Sequence, residues 1–123
     1  MPVGLTAFQA NAFLTSLPSV WVKLYTGDPG ATGGVNASTE TGRRALTLLT
    51  ASGGQRAMTT PNPSWTSWSA GTATISHIGI FDSVGPTGGN CLWTGSLTLS
   101  KTVSNGDTLT LTSLTFTLTP LAS

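Results

Sequence analysis

Few side chains in this sequence of 123 residues can act on a proton, a metal or a carbonyl. There is one histidine, His77, and one cysteine, Cys91. A hydrolytic triad would need His77 beside Asp82 or Asp107 and a serine on a sharp turn. The Gly-x-Ser-x-Gly pattern of a nucleophile elbow is missing. Ile75 and Ile78 flank His77, which reads it as a satisfied sheet residue and not a base. The carboxylates Asp28, Glu40, Asp82 and Asp107 are scattered, mostly in turns, where Asp commonly accepts from backbone N–H groups. They form neither a spaced acid pair for glycoside chemistry nor a calcium loop. Zinc would need clustered Cys or His. The glycine-rich turns lack the Lys-Ser/Thr that completes a phosphate cradle. The expectation is a protein that is not an enzyme and that holds no cofactor and no metal.

Binding is the chemistry left open. Trp21, Trp65, Trp68 and Trp93 could stack on sugar rings if they faced solvent, or anchor a core or a subunit interface. The second reading is preferred, and the candidate interface residues are Asp28, Asn36, Arg43, Arg44, Arg56, Trp65 and Trp68. Arg43, Arg44 and Arg56 make too small a basic footprint for nucleic acid. No apolar run approaches the roughly 20 residues of a membrane helix. The first cation is Lys23, so the start of the chain lacks the positive region of a secretory signal. Cys91 has no intrachain partner and reads as a small core residue.

Charge is the most informative bulk property. Only 7% of residues are charged and the net charge is +1, where about a quarter charged is usual. Roughly three in ten residues are Ser or Thr. A hydroxyl coat is wettable but does little to prevent association. Much of such a surface is expected to meet other protein.

The elements that must carry these residues read as strands. In residues 106–118, Leu109 and Leu111 alternate with threonines; Ser113 then breaks step, and Leu114, Phe116 and Leu118 alternate with threonines. Alternation buries one face of a strand, and a change of parity would turn the second half outward. A bulge or bend near Thr112 and Ser113 would keep both halves on one core. Residues 5–17 predict a helix capped by Thr6 with Gln9 three residues on, stapled by Leu5 and Ala10, and stopped by Pro18. Phe13 and Leu17 are expected to share a face with Leu14 beside them, and the helix is read as a plug at one end of the fold in preference to an arm docking on a neighbouring subunit. Residues 19–26, 43–50, 55–60, 72–82 and 91–103 predict further strands, with Gly79 marking close approach by a backbone or a ring. Residues 27–42 form a long glycine-rich loop, mobile or laid on a partner. Asn105-Gly106 predicts a hairpin turn. The fold class expected is all-β: an antiparallel β-sandwich or barrel of about six to eight strands with one short N-terminal helix, in a single domain over residues 1–123.

Three blocks in order carry a family likeness. They are Val-Trp-Val-Lys-Leu-Tyr-Thr-Gly-Asp-Pro-Gly at 20–30; His-Ile-Gly-Ile-Phe-Asp at 77–82 with Gly-Gly-Asn-Cys-Leu-Trp-Thr-Gly-Ser-Leu at 88–97; and Ser-Lys-Thr-Val at 100–103 with Gly-Asp-Thr-Leu at 106–109. Together they resemble a family of short tailed-bacteriophage virion proteins, labelled tail-fibre-like or minor structural proteins. The likeness covers most of the chain and implies an all-β virion component without a catalytic site. The chain departs from a fibre in having no collagen-like, coiled-coil or repeated shaft sequence. The expectation is a capsid decoration, or cement, protein, assembled in the host cytoplasm and bound as a trimer to the capsid exterior. Its partners would be the phage major capsid protein and copies of itself. Residues 27–42, the N-terminal segment, and Arg43 and Arg44 would meet the shell. The alternatives are a tail-fibre or baseplate component, which could touch a host-surface glycan, and a carbohydrate-binding module built on the tryptophans.

Overall fold

The computed structural model describes residues 6–85 and 87–118. Leu5 in the expected helix and staple, Pro86 in the loop after residue 82 and Thr119 at the end of the alternating tail lie outside the described residues. In chain order the elements are α1 (Ala7–Thr15), β1 (Val20–Tyr25), β2 (Arg44–Leu48), β3 (Gln55–Thr59), β4 (Ser64–Trp65), β5 (Ala73–Phe81), β6 (Cys91–Val103), β7 (Leu109–Thr110) and β8 (Thr115–Thr117). Every strand pair is antiparallel. The chain is thus all-β with one short N-terminal helix. Its segments gather into two compact units: a larger one of Ser19–Leu46 and Pro63–Thr110, and a smaller one of Met1–Pro18, Thr47–Asn62 and Leu111–Ser123.

In the larger unit the hydrogen-bonded order is β6-β5-β1-β2. β1 is central and its β-branched and aromatic side chains suit a strand covered on both faces. Val20, Val22 and Leu24 are buried on one side; Lys23 and Tyr25 are buried on the other. Opposite Lys23 stands Gly79 of β5. A Cβ at Gly79 would meet Cε1 of Tyr25 at 2.8 Å and Cε1 of Phe81 at 3.0 Å, so the ring contact expected from the sequence is present. β6 follows β5 from Ser96 back to Cys91 and again from Lys101 to Val103. Between these stretches residues 97–100 face the single residue Ser76, and a second register shift falls between Ile80 and Phe81. β4 and β7 form a separate two-stranded sheet.

Residues 27–42 do not form a free loop. The Asp28 carboxylate accepts from Gly30 N (2.9 Å), and Asn36 Nδ2 donates to Asp28 O (2.9 Å). Thr26 N donates to Asn36 O and Ser38 N to Leu24 O, which lays the returning chain against β1. The Tyr25 hydroxyl closes the loop on Gly33 O at 2.8 Å. Its backbone polar groups therefore find partners within the chain.

In the smaller unit the order is β2-β3-β8, β2 pairing with β1 through Arg44, Ala45 and Leu46 and with β3 through Thr47 and Leu48. Gly53 and Gly54 carry β2 into β3 with φ of 60° and 76°, the two positive values a tight two-residue hairpin turn needs. Thr6 caps α1, its hydroxyl accepting from Gln9 N. The buried side of α1 is Ala10 and Leu14; of the group Phe13, Leu14 and Leu17, Leu14 is buried, Leu17 half-buried and Phe13 exposed. The tail is corrected. Its burial alternates as expected and loses step at Thr112 and Ser113, both exposed. The two halves, however, are separate strands: β7 pairs with β4 in the larger unit, and β8 with β3 in the smaller. Residues 104–107 turn as expected, Asp107 N donating to Ser104 O, but the turn joins strands that do not pair with each other.

Candidate functional site

The residues expected at an interface mostly brace the scaffold. Arg43 is 6% exposed. Its guanidinium lies 4.0 Å from the Phe81 ring centroid, and Nη1 donates to Ser83 O (2.8 Å) and Gly88 O (3.1 Å). Its Nε is buried and makes no hydrogen bond. Arg43 thus holds the loop that follows β5 and is not a surface cation. Arg44 Nε donates to Ser64 O at 2.8 Å, with its guanidinium 5.7 Å from the Trp65 ring. Arg56 donates from Nε to Leu49 O and from Nη1 to Leu14 O, both at 2.8 Å. All three cations thus serve backbone carbonyls, which are left over where strands and helices end.

Trp65 and Trp68 are core residues. The Trp65 indole donates to Gly42 O at 2.8 Å and the Trp68 indole to Gly71 O at 2.6 Å. Neither can serve as an interface anchor or a sugar platform. Trp21 and Trp93 are half-buried on β1 and β6. Asp28 and Asn36 remain on the surface, joined in the turn described above.

Around Phe81 the sequence reading missed a cluster. Lys23, 9% exposed, sets its ammonium 5.6 Å from the Tyr25 ring centroid and 5.8 Å from that of Phe81. Burial, and then the neighbouring Arg43 charge, lower its pKa from the usual lysine value. Burial raises the Tyr25 hydroxyl and the Cys91 thiol above their ordinary values. Gly33 passes over the same group; a Cβ there would meet Phe81 Cζ at 2.7 Å and Cys91 Sγ at 3.1 Å. Alternation along β1 could have flagged Lys23, because it falls between Trp21 and Tyr25 on one face.

Of the remaining titratable groups, His77 Nδ1 pairs with the Ser76 hydroxyl at 2.8 Å. The Asp82 carboxylate accepts from Asn90 N (2.7 Å) and Asn90 Nδ2 (3.0 Å), and these bonds, the backbone one first, hold its pKa below the usual aspartate value. Among the described residues no three of His, Cys, Asp and Glu gather where they could hold a metal ion. No helix among them is long and apolar enough to cross a membrane.

What faces outward is largely apolar or hydroxylic, with a few charged residues such as Asp28, Lys101 and Asp107. The exposed large hydrophobic residues are Phe8, Phe13 and Leu49 in the smaller unit, and Val35, Val84 and Leu99 in the larger. By fold and by this use of its charged groups, the molecule is a structural β-protein. Its family is given by comparison: residues 5–119 match the family described as Podophage GP4 fiber I protein gp80, and the chain belongs to that family of tailed-bacteriophage virion structural proteins. No curated protein gives a match.

Proposed function

We propose that this chain is a fibre-type subunit of the virion, located at the tail, whose work is to assemble with other protein and not to turn over a substrate. The observation that carries this reading is the match to a phage fibre family over residues 5–119. Two structural features support it. The three arginines are engaged by internal carbonyls, and apolar side chains stand outward on both units. Capsid decoration was expected from low charge, compact length and a free glycine-rich loop, with that loop, the N-terminal segment, and Arg43 and Arg44 as its anchors on the shell. That loop is bound to β1, and both arginines are engaged within the chain. The tail assignment is therefore preferred over the shell. A host-surface glycan, if one is met there, would be read by side chains other than Trp65 and Trp68.

The test is to tag the chain, image intact particles by immunogold labelling, and count copies per virion by quantitative mass spectrometry. A few copies concentrated at the tail are expected. Hundreds of copies spread over the shell would return the decoration reading, and absence from purified particles would end the virion reading altogether.

A further inference from the structure

α1 is covered on one side only. Ala10 and Leu14, one turn apart, are fully buried toward β3. At 3.6 residues per turn the opposite side carries Phe8, Ala12 and Ser16, flanked by Gln9 and Phe13. Phe8 is 82% exposed and Phe13 52%. A surface helix ordinarily turns charged residues to water, and a helix apolar all round is one buried all round. α1 has no charged residue at any position. Leu49 is also exposed. The Arg56 guanidinium binds the carbonyls of Leu14 and Leu49 together, which sets the turn bearing Leu49 beside the last turn of α1.

Charge indicates what covers this face. Of the chain's five Lys/Arg and four Asp/Glu, only Arg56 lies in the smaller unit, and it is engaged by Leu14 and Leu49. A symmetric contact sets a surface against its own image, so any charge near the axis meets its like. The outer side of α1 carries none, and Arg56, half-buried beside Leu49, is tied to the Leu14 and Leu49 carbonyls, so that side can meet its own image with little repulsion. A foreign surface of ordinary composition, about a quarter charged, would instead have to desolvate charges against a face with no group to answer them. The smaller unit has little interior of its own: Ala10, Leu14, Gly54, Met58 and Phe116 are its buried residues among those described. Further apolar burial would stabilise a body this small.

We infer that the outer side of α1, Phe8 and Phe13 with Leu49 beside them, is the contact through which copies of this chain associate. The inference deepens the assembly reading above by naming a partner and a surface.

The test is sedimentation of the purified full chain over a wide range of concentration. Reversible association is expected. The double variant F8S/F13S should raise the dissociation constant by roughly tenfold or more, as loss of a buried aromatic anchor does. At a dilution where both proteins are monomeric, its circular dichroism and melting temperature should match the wild type, because both side chains are exposed in the single copy. A12E places a charge on the same side of the helix without touching Ala10 or Leu14, and should also dissociate the assembly. It keeps the question decidable if the double variant folds poorly. L99S, at an exposed position of the larger unit, should associate as the wild type does. A wild type monomeric at every concentration, or F8S/F13S and A12E both associating as tightly as wild type, overturns the inference. Incorporation into particles is scored separately. A chain that associates through α1 but is absent from virions leaves the contact standing and ends the virion reading; a monomer recovered from virions does the reverse.

Discussion

Two neighbours in the cluster around Phe81 show what single residues decide. Gly79 is where it is because the rings of Tyr25 and Phe81 fill the space a Cβ would take, and Tyr25 is pinned by its bond to Gly33. Gly79→Ala should therefore destabilise the protein by about 1–3 kcal/mol, the usual penalty for overpacking; a denaturant melt within a few tenths of wild type would refute this. The site was legible because a glycine inside a β-branched run weakens the strand unless something must come close to its backbone. Lys23 was legible only as a position on the Trp21–Tyr25 face, not as a buried cation. Burial, and then the Arg43 charge, lower its pKa. The unfolded chain then binds the proton more readily than the folded one. Stability falls as pH drops from the ordinary lysine value, about 10.4, through the folded pKa, and the full penalty is reached below it. Lys23→Met should hold or raise the melting temperature at pH 7, with its advantage shrinking as pH climbs toward 10. A Met variant that melts well below wild type at pH 7 would show that the ring contacts win. Arg43 escaped sequence reading because its partners, Phe81 and the carbonyls of Ser83 and Gly88, lie about forty residues away.

Elements were legible where their signals are local. Thr6 accepts from Gln9 N as the cap pattern predicts, and the tail loses its alternation at the residues the sequence marks. Partners were not legible, because pairing is decided by distant strands: nothing in residues 106–118 tells that β7 joins β4 while β8 joins β3. The inner side of α1 was not legible for a related reason. Phe8, Ala10, Ala12, Phe13 and Leu14 are apolar all round the helix, so its own sequence does not say which side faces in. The loop between β5 and β6 gives a pH test at this scale. Asp82 ties Asn90 across it, and its lowered pKa makes the ionised form the stabilising one. That contribution is fully present above the ordinary aspartate value, about 3.9, and is lost as pH falls through the lower folded pKa. Asp82→Asn should melt earlier at pH 7 and show a smaller loss on acidification than wild type. Equal acid slopes in the two proteins would show that Asp82 does not contribute to acid unfolding.

At the scale of the molecule, the fold class and the scarcity of charge were plain from composition, whereas the uneven placement of that charge was not. Association through a face without charges should depend weakly on ionic strength or strengthen with salt, since screening acts on charges and salting-out favours apolar burial. Sedimentation at about 0.05 M and about 1 M salt checks this; a large fall in affinity at high salt would point to ion pairs instead. One further consequence lies in how the chain is threaded. It passes between the two units at residues 18–19, 46–47, 62–63 and 110–111. The larger closes its small sheet only on β7, and the smaller completes its ladder only on β8. During synthesis, then, neither body can finish before the final strands leave the ribosome. A premature stop codon near residue 105 would leave two incomplete bodies, not one intact body and a stub.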